Sequence, residues 1–215
     1  MQFKELQEKL GTQHTFTLQD VENAFGKADR AQMSRWENKG WLQRLTEGIY
    51  TFPKTDIDIH LLSNEIRPSY ISLEYALSYY GIIPDIAQTV TCVSTMTSTT
   101  IETPVGTFIY KKIKPELFRG YVLKPSTYTA DKVKSIAAPN TTAEFKIATP
   151  EKALFDLVYL RKDLSTPLDF ESMRFTLPEN FDPELLAGFF NFVDSEIRKN
   201  RMYKFFTQLF KEAGK

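Results

Sequence analysis

Residues 36–53, WENKGWLQRLTEGIYTFP, contain the change of period on which the fold turns. Up to Gly40 the apolar positions repeat as they do on a helix. Beyond it, Leu42 to Leu45 and Ile49 to Phe52 read as two short strands joined by Thr46-Glu47-Gly48. A short loop with glycine where φ must be positive is a favoured hairpin connection. Pro53, with no N–H to donate to a ladder, ends the second strand. Two readings are open: a plain helix followed by a hairpin, or the reading helix and wing of a DNA-binding unit.

The residues upstream bear on the choice. Phe3, Leu6 and Leu10 fall on one face of a first helix that Gly11 can end. Thr17 opens T-L-Q-D, where a hydroxyl oxygen can accept from a free N–H three residues on. Leu18, Val21 and Phe25 give that second helix its apolar stripe, and Gly26 closes it. A third helix starts near Ala28 or Asp29, turns Met33, Trp36 and Ala31 inward, and stops at Gly40. Helix, helix, short turn, helix is the outline of a helix-turn-helix.

Downstream the pattern is mixed. TDIDIHLLSNEIRP, 55–68, reads as a connecting helix capped by Asp56. Ser72 to Tyr80 reads as a helix with Gly81 just past its end. Thr89–Thr95, 105–113, Gly120–Leu123 and Glu144–Ala148 read as strands. Thr149 caps the helix PEKALFDLVYL with Pro150 at its first position, where the missing N–H costs nothing. Asp182-Pro183 starts another by the same logic, and a last one runs from about Ser195 to the end. The predicted class is α+β: a winged helix-turn-helix over 1–55, then a mixed α/β domain over 56–215 with a helical C-terminus.

Composition limits the chemistry. A chain of 215 residues, 42% hydrophobic, has material for one large domain or two. Lys+Arg and Asp+Glu are equal at 27 each, so a nucleic-acid reading must rest on local clustering. A single cysteine, Cys92, forbids an intramolecular disulfide, and two distant histidines, His14 and His60, offer no metal set. No segment approaches the roughly 20 apolar residues of a membrane span, and MQFKELQEKLGTQHTF does not resemble a signal peptide. A cytoplasmic protein without cofactor, metal or catalytic residue is the expectation.

Local clustering does occur. Lys27, Arg30, Arg35, Lys39 and Arg44 stand within residues 27–44 against Asp29 and Glu37. With Met33 and Trp36 inward, Arg30, Gln32, Arg35, Asn38 and Lys39 are left outward. Arg, Asn and Gln pair two-pronged with guanine and adenine edges in the major groove. Arg44 and Thr46 on the hairpin would meet phosphate or minor groove. A solvated charged helix face accounts for the same residues, and the order of elements favours the DNA reader. Elsewhere, Lys111, Lys112, Lys114, Arg119 and Lys124 form one basic tract. Arg198, Lys199, Arg201, Lys204, Lys211 and Lys215 form the outer face of the last helix. An acidic block over 163–196, including Asp163, Asp169, Glu171 and Asp194, can contact either tract. Glu144-Phe-Lys146, with Asp85 as partner, is similar to the Glu-x-Lys of metal-dependent nucleases, a three-residue pattern. Glu151, Lys152 and Asp156 at one helix start read as capping and surface pairing.

Four blocks in order carry a family resemblance: KGWL with RLTEGIYTFP (39–53), SYISLEYALSYYGIIP (69–84), ETPVGTFIYKKIKPELFRGY (102–121) and IATPEKALFDLVYL (147–160). The chain resembles, over about residues 5 to 160, the AbiEi family of antitoxins, the transcription-regulating halves of type IV toxin–antitoxin systems linked to phage abortive infection. The resemblance implies a winged helix that binds double-stranded DNA, its own operator with inverted repeats, and represses its operon. It implies a second domain that counters a nucleotidyltransferase-like toxin without a stable complex. The DNA-reading surface it implies is Asp29–Lys39 and the wing Arg44–Gly48, with Glu47 standing where the family's turn is usually basic. A stand-alone winged-helix regulator and a protein- or RNA-interaction module are the alternatives, and a Glu144/Lys146 nuclease is a third.

Overall fold

The computed structural model describes residues 1–126, 143–164 and 173–213. Its first elements are α1 (Phe3–Leu10), β1 (Phe16–Thr17), α2 (Leu18–Phe25), α3 (Arg30–Asn38), β2 (Gln43–Thr46) and β3 (Ile49–Thr51). The caps follow from local chemistry. Thr17 Oγ1 accepts from Asp20 N at 3.2 Å while Asp20 Oδ2 accepts from Thr17 N at 2.7 Å, a reciprocal capping box on α2. Gly26 takes φ 74 after α2, and Asp29 Oδ1 accepts from Ala31 N and Gln32 N to start α3 four residues later.

The hairpin closes on Gly48 at φ 77, with a register shift between Arg44 and Thr46. Strand β1 has no counterpart among the elements expected from the sequence. Its two residues pair with β3, Phe16 with Tyr50 and Thr17 with Ile49, giving an antiparallel sheet of order β1-β3-β2. A two-residue strand has no period, and its partner lies over thirty residues away.

The rest of the described chain adds α4 (Ile59–Ile66), β4 (Tyr70–Ile71), α5 (Leu73–Tyr79), β5 (Val90–Ser94), β6 (Thr99–Thr103), β7 (Gly106–Lys112), β8 (Tyr121–Pro125), β9 (Glu144–Ala148), α6 (Pro150–Leu160), α7 (Pro183–Gly188) and α8 (Glu196–Ala213). Six strands form a mixed sheet of order β6-β7-β5-β4-β9-β8, with β5/β7 and β4/β9 parallel. The architecture is α+β with a helical C-terminus. Strands β4 and β6 are further additions to the expected elements: β4 has only two residues, and TTIET lies at the sheet edge and lacks a clean apolar alternation. No helix among the described residues is long and apolar enough to cross a membrane.

Two hydrophobic cores share the hairpin. Leu42, Tyr50 and Phe52 join Leu6, Val21, Met33 and Trp36 in the smaller one. Leu45 and Ile49, on the alternate positions, belong to the larger core of the six-stranded sheet. Polar bonds reinforce the junction. Thr51 Oγ1 donates to His14 O at 2.8 Å, Thr15 Oγ1 donates to Glu65 Oε2 at 2.6 Å, and His14 Nε2 lies 2.8 Å from Glu65 Oε1.

Three expectations need correction. Helix α4 is capped by Asp58 rather than Asp56, because the helix begins at Ile59 and the capping oxygen must sit just before it; Asp58 Oδ1 accepts from His60 N at 2.8 Å. Ala31 is exposed on α3 rather than inward. The last helix is not simply basic outside: the Arg201 guanidinium donates to Val158 O, Arg161 O and Leu164 O, closing the carbonyl end of α6. The acidic block does contact basic groups, with Asp194 paired to Lys114 and Asp163 to Arg161. Asp169, Glu171 and Lys215 lie outside the described residues.

Candidate nucleic-acid interface

Helix α3 is anchored by two buried side chains, Met33 and Trp36, one turn apart. Trp36 meets the Phe3 ring edge-on with centroids 5.3 Å apart. That anchoring fixes which residues face away. Arg30, Ser34 and Asn38 make one i, i+4 row of exposed residues, and Ala31, Arg35 and Lys39 make the next.

The basic side chains on this face have few commitments. Lys27 and Arg30 are exposed. Arg35 Nη2 lies 3.9 Å from Asp29 Oδ2, with both side chains at least half exposed, a pair worth little. Lys39 Nζ sits 4.8 Å from the centre of the Trp41 ring, itself 43% exposed. On the hairpin, Arg44 is exposed and its Nε donates to Thr46 O at 3.3 Å, so the guanidinium follows the turn. Thr46 is half-buried and Glu47 exposed. Gln32 departs from the outward position expected of it: it is half-buried, and its Nε2 donates to Met1 O at 2.9 Å. Seven of the eight residues singled out thus lie on one helix–turn–hairpin track, and Gln32 sits at its inner margin.

The charged start of α6 is the opposite case. Glu151, Lys152 and Asp156, expected at the surface, are buried, the last two completely. Asp156 accepts from Lys152 Nζ, from Tyr70 OH at 2.9 Å and from Ser72 Oγ at 2.8 Å. The Lys152 ammonium is also ringed by Phe155, Phe189 and Tyr70, 5.1 to 5.7 Å from their centres. Burial pushes the Asp156 carboxyl up and the Lys152 ammonium down, while each partner's charge pulls the other way. Burial and then the Asp156 charge push Tyr70 far above the usual tyrosine range, so it stays a donor. Residues 84 to 86 positions apart in sequence meet here, which no local pattern announces.

Two other clusters hold titratable groups. Asp58 Oδ1 lies 3.0 Å from His60 Nδ1, and His60 Nε2 lies 3.0 Å from Tyr75 OH. Burial raises the Asp58 carboxyl, but bonds from the His60 side chain, Ser126 and the His60 backbone outweigh it and hold the group well below the usual carboxylate range. Burial pushes the Tyr75 hydroxyl up. The Glu144, Lys146 and Asp85 set is not assembled. Glu144 is exposed, Lys146 Nζ sits 5.6 Å from the centre of the Tyr121 ring, and Asp85 pairs with Arg174 at 3.6 Å. Among the described residues no group of three His, Cys, Asp or Glu side chains could hold a metal ion. Neither a protein-family model nor a curated protein matches the chain.

Proposed function

We propose that the protein is a DNA-binding transcriptional repressor. Residues 1–55 form a winged helix-turn-helix with α3 as reading helix and the β2–β3 hairpin as wing, and residues 56–215 form an antitoxin domain of the AbiEi kind. The observation that carries this reading is the outward face of α3. Arg30, Arg35, Asn38 and Lys39 project from it around the small Ala31 and Ser34, which let the helix axis come close to a groove. Arg and Asn reach base edges, and the lysines and Arg44 reach phosphates. The order helix, strand, helix, helix, hairpin, with β1 and β2 flanking β3, supports the same unit.

The protein acts in the cytoplasm on its own operator, and its second domain opposes a nucleotidyltransferase-like toxin without forming a stable complex. That part rests on the four sequence blocks. The DNA part is tested by fluorescence anisotropy with duplex DNA from upstream of the gene. Arg30→Ala with Arg35→Ala should weaken binding by about a hundredfold, since a good base contact is worth ~1–3 kcal/mol. Wild-type binding by that variant would remove α3 from the interface. The antitoxin part is tested by co-expression with the neighbouring gene product. Rescue of growth by a variant with the same two substitutions would place that activity outside the DNA reader.

A further inference from the structure

A cavity of about 710 Å³ opens over β5 and β7 of the six-stranded sheet. Strand alternation sets its floor. Thr91 on β5 and Ile109 on β7 are register partners, and Thr89 and Lys111, two residues away along the chain, share their side. Leu73 of α5 and Leu160 of α6 make apolar walls.

The polar groups are unequal in what they can offer. Thr91 Oγ1 is committed: it donates to Ser72 O at 2.7 Å and accepts from Tyr75 N at 3.1 Å. Ser98 Oγ accepts from Lys112 N at 2.9 Å, which leaves its O–H to donate. Arg161 is held at the rim by Glu74 at 3.1 Å and by Asp163, so its charge is already met. Lys111 is exposed and has no carboxylate partner among the described residues. The lining therefore sets three cations, Lys111, Lys112 and Arg161, against two carboxylates.

We infer that this cavity binds a small organic phosphate, with Lys111 meeting the phosphoryl group, Ser98 and Thr89 donating to it, and Ile109, Leu73 and Leu160 taking the apolar portion. A phosphoryl group presents several strong acceptor oxygens, which suits one ammonium with three donors beside two hydroxyls. The volume falls in the range of sites that enclose small molecules. Among the described residues no aromatic ring lines the cavity, so none of them selects a stacked base. The site is separate from the α3 face and does not depend on DNA binding.

Backbone amide shifts in ¹⁵N-labelled full-length protein test it, with inorganic phosphate, butyl phosphate and butanol as probes. Butyl phosphate should give saturable shifts at Thr91, Ser98, Ile109 and Lys111, at least about fivefold tighter than inorganic phosphate because its chain adds apolar burial. Lys111→Ala should weaken it about tenfold, the size of one charged hydrogen bond, and Lys111→Arg should stay within about threefold of wild type. No saturable shift by about 10 mM, equal binding of butanol, or wild-type affinity in Lys111→Ala would each overturn the assignment.

Discussion

The outward face of α3 and the first turns of α6 both carry charged side chains behind a side-chain cap, Asp29 for one and Thr149 for the other, and those charges have opposite fates. On α3 the charges are exposed and weakly paired. On α6 they are sealed inside, with Lys152 and Asp156 spending their charge on each other, Tyr70 and Ser72. Exposed cations left uncommitted are free to meet a polyanion. Buried ones define the packing of their own domain. The difference lies in what covers each helix: α3 shares a small core with α1, β1, α2 and the hairpin, whereas α6 is packed by α5, α7 and α8.

Substitutions separate the two helices, and the largest effect should come from α6. Asp156→Ala leaves an ammonium buried without its counter-ion, which should cost about 3–5 kcal/mol in urea unfolding. Lys152→Met with Asp156→Leu together should recover the part of that loss due to the unpaired ammonium, while Tyr70 OH and Ser72 Oγ still lack their acceptor. A double variant as unstable as the single one would contradict the pairing. Gly120→Ala comes next, at about 1–3 kcal/mol. Gly120 holds φ 76, and a Cβ there would stand 2.6 Å from Phe189 Cζ and 3.0 Å from Lys152 Cδ.

A smaller effect appears in the pH dependence. The Asp58 carboxyl is held below its unfolded value, so its stabilisation is complete above about pH 5 and is lost as pH falls towards the folded value. Asp58→Asn should therefore flatten the fall in stability between about pH 5 and 2. An unchanged slope would show that His60 and Ser126 do not hold that charge. The smallest effect belongs to α3. Arg30→Ala with Arg35→Ala should shift unfolding free energy by no more than about 0.5 kcal/mol per site, as expected of exposed side chains without firm partners.

What is legible in the sequence follows the range of the forces involved. Thr17, Thr149 and Asp182 act within three residues, and each is readable as a cap from its neighbours alone, whereas the sequence leaves the start of α3 between Ala28 and Asp29. The hairpin turn at Gly48 is readable for the same reason. Asp58 is easily confused with Asp56, because the two aspartates stand two positions apart and only the helix start chooses between them. Ala31 misleads because alanine fits either side of a helix. The interior of α6 is not legible. Glu151, Lys152 and Asp156 look like surface residues until Tyr70 and Ser72 arrive from a segment over eighty positions upstream of Asp156. The open cavity over β5 and β7 is equally hidden, since its walls come from four separate elements and the turns between them.

The exposed, weakly paired cations on and beside α3 are expected to meet DNA phosphates and bases, and the salt dependence of binding to the upstream duplex tests this most directly. Removing one phosphate contact should lower the magnitude of the slope of log K against log salt by about 0.9. Lys27→Ala and Lys39→Ala together should therefore reduce it by close to two, while Lys111→Ala should leave it unchanged. Equal slopes in wild type and the Lys27/Lys39 variant, or a reduced slope on changing Lys111 instead, would contradict the account.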